Sequence, residues 1–211
     1  MKRSGFQTMS PYVYPFYIMT HPKDGFQEMK MNKKSSLSVT ILIICAYTLV
    51  DMLYRKMVDY DLNIYDAKEV SAVRVMVITV ATFFVITAAN WCWCTLLDGK
   101  GKYQEIFYVV ACSMLPTLMM NVITIVLSYF FAAADLIFLQ YLAIVAKAWT
   151  LLLMGVGLAE IHDYSAKKTL FSMFLTVVGI VIILFLAMLL MSLFQQLYLF
   201  VVTVVLELKY L

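Results

Sequence analysis

Apolar residues run along this chain in long blocks, and polar residues collect in the short segments between them. Five blocks reach the roughly 17–25 residues that a helix needs to cross the hydrocarbon core of a membrane. They are residues 37–53, 70–97, 106–131, 136–158 and 170–194. The pattern predicts an all-α integral membrane bundle of five transmembrane helices.

The end of the chain leaves one choice open. Gln195 and Gln196 are followed by a further apolar run, residues 197–206, with no turn signal between them. Ten residues are too few to span a bilayer. Residues 197–211 therefore either continue the fifth helix or form a separate helix in the interface.

Residues 1–35 precede the first block, and residues 36–211 form the transmembrane domain. The N-terminal segment is rich in proline and aromatic residues, which predicts an extended strap because proline removes backbone donors. Its aromatic side chains are typical of interface anchors, and we expect them to dock on a partner protein. These candidate contact residues are Tyr12, Tyr14, Phe16 and Tyr17.

A short helix is predicted to start at Asp24, which suits an N-cap. Phe26 and Met29 would share its apolar face above a group of lysines, Lys30, Lys33 and Lys34. This arrangement is typical of an interfacial helix that rests on anionic lipid.

Composition strengthens the membrane prediction. Apolar residues make up 64% of the chain and charged residues 14%, whereas a soluble domain is nearer half apolar and a quarter charged. A lipid bilayer must therefore act as part of the solvent. The net charge of +3 is not gathered into a basic face, which excludes a nucleic-acid-binding class.

The basic residues predict the orientation. Ten of them fall before the first block or in the second and fourth connections: Lys2, Arg3, Lys23, Lys30, Lys33, Lys34, Lys100, Lys102, Lys167 and Lys168. Five fall on the other side, among acidic residues such as Asp59: Arg55, Lys56, Lys68, Arg74 and Lys209. By the positive-inside rule the N-terminus is cytoplasmic and the C-terminus lies outside.

Lys147 lies near the middle of the fourth block, where a lysine is costly unless it finds a partner. Asn121 on the third block lies at a matching depth, so a Lys147–Asn121 contact is one interpretation. The others are a carboxylate on another subunit, or an ion or proton path through this chain.

Two features predict local geometry. Asn90 and Trp91 close the second block ahead of a turn that contains Asp98, Gly99 and Gly101; this turn lacks the lysine-serine/threonine step of a phosphate-binding loop. Pro116 lies inside the third block and should kink that helix.

No residues form a convincing catalytic or metal site. Residues 160–165 contain Ser, His and Asp on one short turn, but triad members are normally brought together by the fold. The four cysteines lie in or beside apolar blocks and lack C-x-x-C spacing. We therefore expect no enzyme activity and no cofactor.

Taken in order, these elements resemble the Yip-one domain family of multi-pass membrane proteins. The matching elements are Pro22-x-x-Gly25-Phe26, Asn90-Trp91, Leu97-Asp98-Gly99-Lys100-Gly101, Pro116, Trp149 and Glu160-Ile161-His162-Asp163-Tyr164-Ser165. The short tail and the Asp98-to-Gly101 turn are similar to bacterial members.

The resemblance implies a five-span, non-enzymatic protein, and it assigns no catalytic residue. Bacterial relatives resemble accessory proteins that accompany ABC transporters, and eukaryotic relatives organise membrane traffic. We therefore expect an accessory or assembly subunit in a bacterial plasma membrane, bound to ABC transporter permeases. The alternatives are a small transporter or channel in its own right, or a membrane-organising scaffold. The sequence does not identify the partner, any transported compound, the organism or the oligomeric state.

Overall fold

The computed structural model describes residues 10–32, 35–57, 71–130 and 136–210. Within those residues the chain forms eight helices and no strand. In chain order they are α1 (Tyr14–Thr20), α2 (Pro22–Asn32), α3 (Leu37–Met57), α4 (Ala72–Leu96), α5 (Tyr103–Ser113), α6 (Leu115–Leu127), α7 (Leu136–His162) and α8 (Ala166–Tyr210).

Five helical stretches are long and apolar enough to cross a membrane: α3, α4, α5 with α6, α7 and α8. The prediction of five transmembrane helices is confirmed. The last one is much longer than expected, because α8 continues without interruption from Ala166 to Tyr210. Of the two alternatives for the end of the chain, the structure has the first: residues 197–210 extend the fifth spanning helix.

The third span is broken where Pro116 predicted a kink. Helix α5 ends at Ser113, and α6 begins at Leu115 with Pro116 in its first turn. Proline has no N–H to give to the carbonyl of Cys112, so the α-helical hydrogen bonding cannot continue through this point. At the other end, the backbone N–H of Lys102 donates to the Glu105 carboxylate at 2.9 Å and helps to start α5.

Helix α5 is the centre of the bundle. Every residue from Ile106 to Ser113 is buried, because α1, α3, α4 and α7 all pack around this helix. Helix α8 packs mainly on α4, and α6 packs between α3 and α7.

The N-terminal segment contributes to the same core. We call α1 and α2 the N-terminal hairpin; its buried residues Tyr14, Ile18, Phe26 and Met29 belong to one cluster with α3, α5 and α7. The extended strap is wrong from Tyr14 onward, because Pro15 occupies the first turn of α1, where proline is tolerated.

The second helix also differs from expectation. Helix α2 begins at Pro22 rather than Asp24, and its apolar face packs on α7 of the bundle instead of resting on lipid. The physical reason is Gly157, which lacks a side chain at the place where the Phe26 ring lies; a Cβ there would come within 3.0 Å of that ring. Lys33 and Lys34, placed on lipid by the sequence pattern, lie outside the described residues.

Candidate functional site

Two loops meet at one end of the bundle, residues 97–102 and residues 163–165. We call this end the basic end, since Lys100, Lys102, Lys167 and Lys168 lie there. Asp98 has a φ of 56° and Asp163 a φ of 55°, the left-handed conformation that aspartate tolerates better than most residues. Both loops can therefore turn sharply and approach each other.

The contact between the loops depends on Gly99 and Gly101. A Cβ on Gly99 would lie 2.5 Å from Nδ1 of His162, and one on Gly101 would lie 2.5 Å from Cγ2 of Ile161. No side chain fits in either place. The two motifs that the sequence presents separately, residues 97–101 and 160–165, are therefore one packed unit.

His162 is buried at the centre of this unit. Its Nδ1 accepts a hydrogen bond from the backbone N–H of Gly101 at 3.2 Å, so a neutral ring carries its proton on Nε2. Nε2 is buried and has no hydrogen-bond partner within the described part of the chain. The ring stacks on Tyr164 with centroids 5.1 Å apart.

Asp163 joins three separate elements at the basic end. Its carboxylate pairs with Lys30 of α2 at 2.6 Å and with Lys100 of the other loop at 3.2 Å. Lys30 also donates to the backbone carbonyl of Glu160 at 3.1 Å. The hydrogen bond from Lys30, followed by that from Lys100, holds the pKa of Asp163 below its ordinary value. We call Lys30, Lys100 and Asp163 the latch.

Tyr164 ties its loop to the end of α4. Its hydroxyl is shared between the carbonyls of Leu97 at 3.1 Å and Cys94 at 3.3 Å. Burial, with a smaller contribution from the nearby Cys94, raises the pKa of Tyr164 to about 12. The Lys168 ammonium lies 4.4 Å from the centre of the ring, a cation–π contact.

Behind the basic end, α4 and α8 share a row of polar contacts. The Asn90 amide donates to the Thr176 hydroxyl at 2.9 Å, and Cys94 meets the Ser172 hydroxyl at 3.1 Å. The Cys94 thiol also donates to the Asn90 side chain at 3.6 Å. Polar groups of this kind hold transmembrane helices together. Asn90, predicted as a structural residue, is buried here.

The structure divides the four predicted tail anchors. Tyr14 is buried and donates its hydroxyl to the carbonyl of Gly25 at 2.5 Å, which closes the N-terminal hairpin. Tyr17 stacks on His21 with centroids 4.7 Å apart. Tyr12 and Phe16 are 58% and 50% exposed, so these two remain available to a partner.

The N-terminal hairpin reaches deep along α7. The indole N–H of Trp149 donates to the carbonyl of Met19 at 3.3 Å, beside the turn between α1 and α2. Trp149 lies 13 residues before His162, roughly 20 Å along the helix. The hairpin therefore enters the bundle from the basic end and turns back near its middle.

Lys147 is exposed on α7, and Asn121 is half-buried on α6. Among the described residues, no hydrogen bond or ion pair connects Lys147 to Asn121 or to any other side chain. The predicted Lys147–Asn121 contact is therefore wrong. The two residues lie at a similar depth in the membrane by residue count, but depth does not determine how each helix is rotated about its axis. Rotation is set by packing, and it turns Lys147 toward the outside of the bundle.

Trp91, the other residue predicted at the end of the second span, contacts an aromatic ring. Trp91 is 44% exposed and meets the Tyr103 ring edge-on at 6.1 Å, consistent with an interfacial aromatic belt. Among the described residues, no group of three His, Cys, Asp or Glu is placed to hold a metal ion.

Sequence reasoning missed the latch. Residues 160–165 were considered as a catalytic triad and as part of the family resemblance, and Lys30 as a lipid contact and one of the basic residues that set the orientation. A signal was present, since Asp163 begins a connection that leads into Lys167 and Lys168, but nothing in the sequence indicated that α2 folds back onto α7.

One of three comparisons with known proteins gave a match. A family model described as the Yip1 domain matches residues 16–206, nearly the whole chain. No curated protein and no solved structure matches.

Proposed function

Since this chain belongs to the Yip1 domain family and is a multi-pass membrane protein, we propose that it is a non-enzymatic accessory subunit of a larger transport complex. The partners would be permease subunits of an ABC transporter in a bacterial plasma membrane. The choice of that transporter class rests on the resemblance to bacterial members of the family. A contact between membrane helices is supported by the structure of this chain itself.

The supporting observation is the exposed position of Lys147. It lies 15 residues from His162, roughly 22 Å along α7, so it is distant from both ends of the helix. A lysine at the centre of a spanning helix costs roughly 2.5–3.5 kcal/mol in insertion measurements. An aspartate or glutamate on a neighbouring subunit would offset part of this cost, because it pairs the ammonium inside the bilayer.

The interior of the bundle argues against a conducting path through this chain. A conducting path needs free polar groups in the interior, but the interior residues Asn90 and Thr176 are hydrogen-bonded to each other. A paired amide and hydroxyl stabilise helix packing. This supports an accessory role over a channel in its own right.

A second surface for the partner is formed by Tyr12 and Phe16. Tyr12 precedes the N-terminal hairpin and Phe16 lies within it, and both are exposed. The hairpin itself is held by Tyr14 and by the latch. Rigid aromatic side chains lose little entropy on binding, so they suit an interface.

The test is co-purification in a gentle detergent, with mass spectrometry to identify the bound subunits. We expect Lys147→Met to lose the partner and Lys147→Arg, which keeps the charge, to retain it. Gln140→Met is the matched control, because Gln140 is also exposed on α7 and lies two turns away on the same face. Full retention by Lys147→Met contradicts the proposed contact, and retention with loss of transport favours conduction.

We also propose that the basic end faces the cytoplasm, as the positive-inside rule requires. A single cysteine at position 100, in a variant without native cysteines, should be inaccessible to an impermeant reagent added outside. A cysteine near the C-terminus, at Lys209, should be labelled. Asp59, the other outside position predicted, lies outside the described residues. Labelling at position 100 but not at 209 would reverse the orientation.

A further inference from the structure

Helix α8 is too long for the membrane that it crosses. Its 45 residues span roughly 67 Å, against a hydrocarbon core of about 30 Å. No charged residue occurs between Lys168 and Glu207, so roughly 57 Å of the helix carries an uncharged, mostly apolar surface. About half of it must pass beyond the hydrocarbon.

Bending does not remove this excess. Sharp kinks in helices arise at proline, at glycine or where a side chain interrupts the hydrogen bonding. After Gly179 the helix contains neither glycine nor proline, and it continues unbroken to Tyr210. An apolar rod that leaves the membrane in this way needs another surface to cover it.

The first half of α8 shows how such a surface is covered. Its buried residues are Thr169, Ser172, Thr176 and Gly179, spaced three or four apart, and α4 packs on them. From Ile182 onward, which we call the distal half of α8, nearly every residue is exposed. The distal half has no comparable neighbour within the described residues.

The distal half carries a second seam with the same kind of spacing. Starting at Ile182, steps of three and four residues give four successive heptads, all exposed: Ile182, Phe185, Leu189, Ser192, Gln196, Leu199, Thr203, Leu206 and Tyr210. Because the distal half is apolar on every side, spacing alone selects no face, and this face is distinguished by carrying Ser192, Gln196 and Thr203. Its steps of three and four residues match the geometry of a coiled-coil seam. Glu207 and Lys209, the charged residues of the distal half, flank the seam rather than interrupt it.

The polar members of the seam favour a second copy of this chain as its partner. Ser192 and Gln196 each carry a group that both donates and accepts hydrogen bonds, so each is complementary to itself. The Thr203 hydroxyl donates to the Leu199 carbonyl of its own helix at 2.9 Å and keeps its capacity to accept. Two copies in one membrane have the same orientation, and a two-fold axis along the membrane normal would place each residue opposite its own counterpart. A single amide within an apolar seam is also a known means of fixing register.

We propose that the distal half of α8 pairs with the same segment of a second copy to form a parallel two-stranded coiled coil. The protein is then a homodimer. This inference is independent of the accessory role and of Lys147, which lies on a different helix.

Disulfide cross-linking of the full-length protein in membranes tests the geometry. Cys45 and Cys92 are exposed and are replaced by serine, while the buried Cys94 and Cys112 are retained. Single cysteines at Ser192, Gln196 and Thr203 should each give a linked dimer. Cysteines at Phe194 and Val201, which are also exposed but face away from the seam, should not.

Two differently tagged copies are expressed together, so that the tags and the mass of the linked product show which protein is the partner. A product that carries both tags at twice the monomer mass supports the homodimer. A product with one tag and a different mass overturns it in favour of another protein. Equal linking at all five positions, or none at any, also overturns it, because neither result follows a helix face.

A matched pair of leucines tests whether the seam drives association. Leu199 and Leu197 are both 55% exposed, but only Leu199 lies in the seam. We expect Leu199→Ala to weaken dimerisation about tenfold or more and Leu197→Ala to leave it unchanged, measured by light scattering across a dilution series in detergent. Equal effects, or a monomer in the unaltered protein, contradict the proposal.

Discussion

The basic end and the distal half of α8 both carry polar side chains, but those at the basic end bond within the chain and those on the distal half are exposed. At the basic end, Asp163 has two lysine partners and Tyr164 two carbonyls, all from the same chain. On the distal half of α8, Ser192 and Gln196 are exposed, and so is Thr203, although its hydroxyl donates to the Leu199 carbonyl. Polar groups that are satisfied internally contribute to the stability of the fold, whereas polar groups that are presented outward on a membrane helix provide contacts for assembly.

The same contrast exists within α8 itself. Thr169, Ser172 and Thr176, like Ser192, Gln196 and Thr203, are uncharged polar residues that recur along one face of the helix, the first set three and four residues apart and the second four and seven. The first set is buried against α4, and the second is not. Substitutions in the covered regions should therefore change the free energy of unfolding, and substitutions in the open region should change association.

The largest effect on stability is expected from Gly99→Ala. The added Cβ would lie 2.8 Å from the backbone carbonyl oxygen of Cys94, which cannot rotate away, and 2.5 Å from the buried His162 ring. We expect a loss of roughly 1–3 kcal/mol in the free energy of unfolding, measured by detergent-induced denaturation. Gly155→Ala is the control, since its nearest neighbour is the flexible end of Met173 at 3.3 Å. Equal stability of the two variants would contradict the packing of the two loops.

A smaller effect is expected from Asn90→Leu. This change removes the donor to Thr176 and the acceptor for Cys94, and we expect a loss of roughly 0.5–2 kcal/mol. Gln196→Leu, the comparable change on the distal half of α8, should leave monomer stability unchanged because Gln196 is exposed.

The double variant Asn90→Leu with Thr176→Val sharpens this comparison. If the two side chains stabilise the fold through each other, the second change should cost less in the presence of the first. Strict additivity of the two losses would show that the contact contributes nothing of its own.

Local features were predictable from the sequence because their causes are local. Five apolar blocks gave five spanning helices, and Pro116 gave the break between α5 and α6. The turn at Asp98 follows from glycine and aspartate chemistry within a few residues. These effects depend on neighbours in the sequence.

The features that sequence did not reveal depend on distant residues. Lys30 reaches Glu160, 130 positions away, and Phe26 fits where Gly157 has no side chain. The aromatic density before residue 20 was interpreted as one docking strap, but Tyr14 turns inward while Tyr12 and Phe16 face outward. Which face of a short helix is covered depends on what folds against it.

The smallest effect is expected at the latch, from Asp163→Asn. Asparagine tolerates the positive φ of this position, so only the charge is removed, and a carboxylate that is 51% exposed contributes modestly to stability. The pKa of Asp163 is lowered in the folded protein. The stabilisation is therefore fully present above the ordinary value of 3.8 and is lost as the pH falls through the lowered value. The melting temperatures of the unaltered protein and the variant should differ by a few degrees at neutral pH, converge in strong acid, and converge at high salt. A difference that persists at low pH would show that Asp163 acts through its shape rather than through its charge.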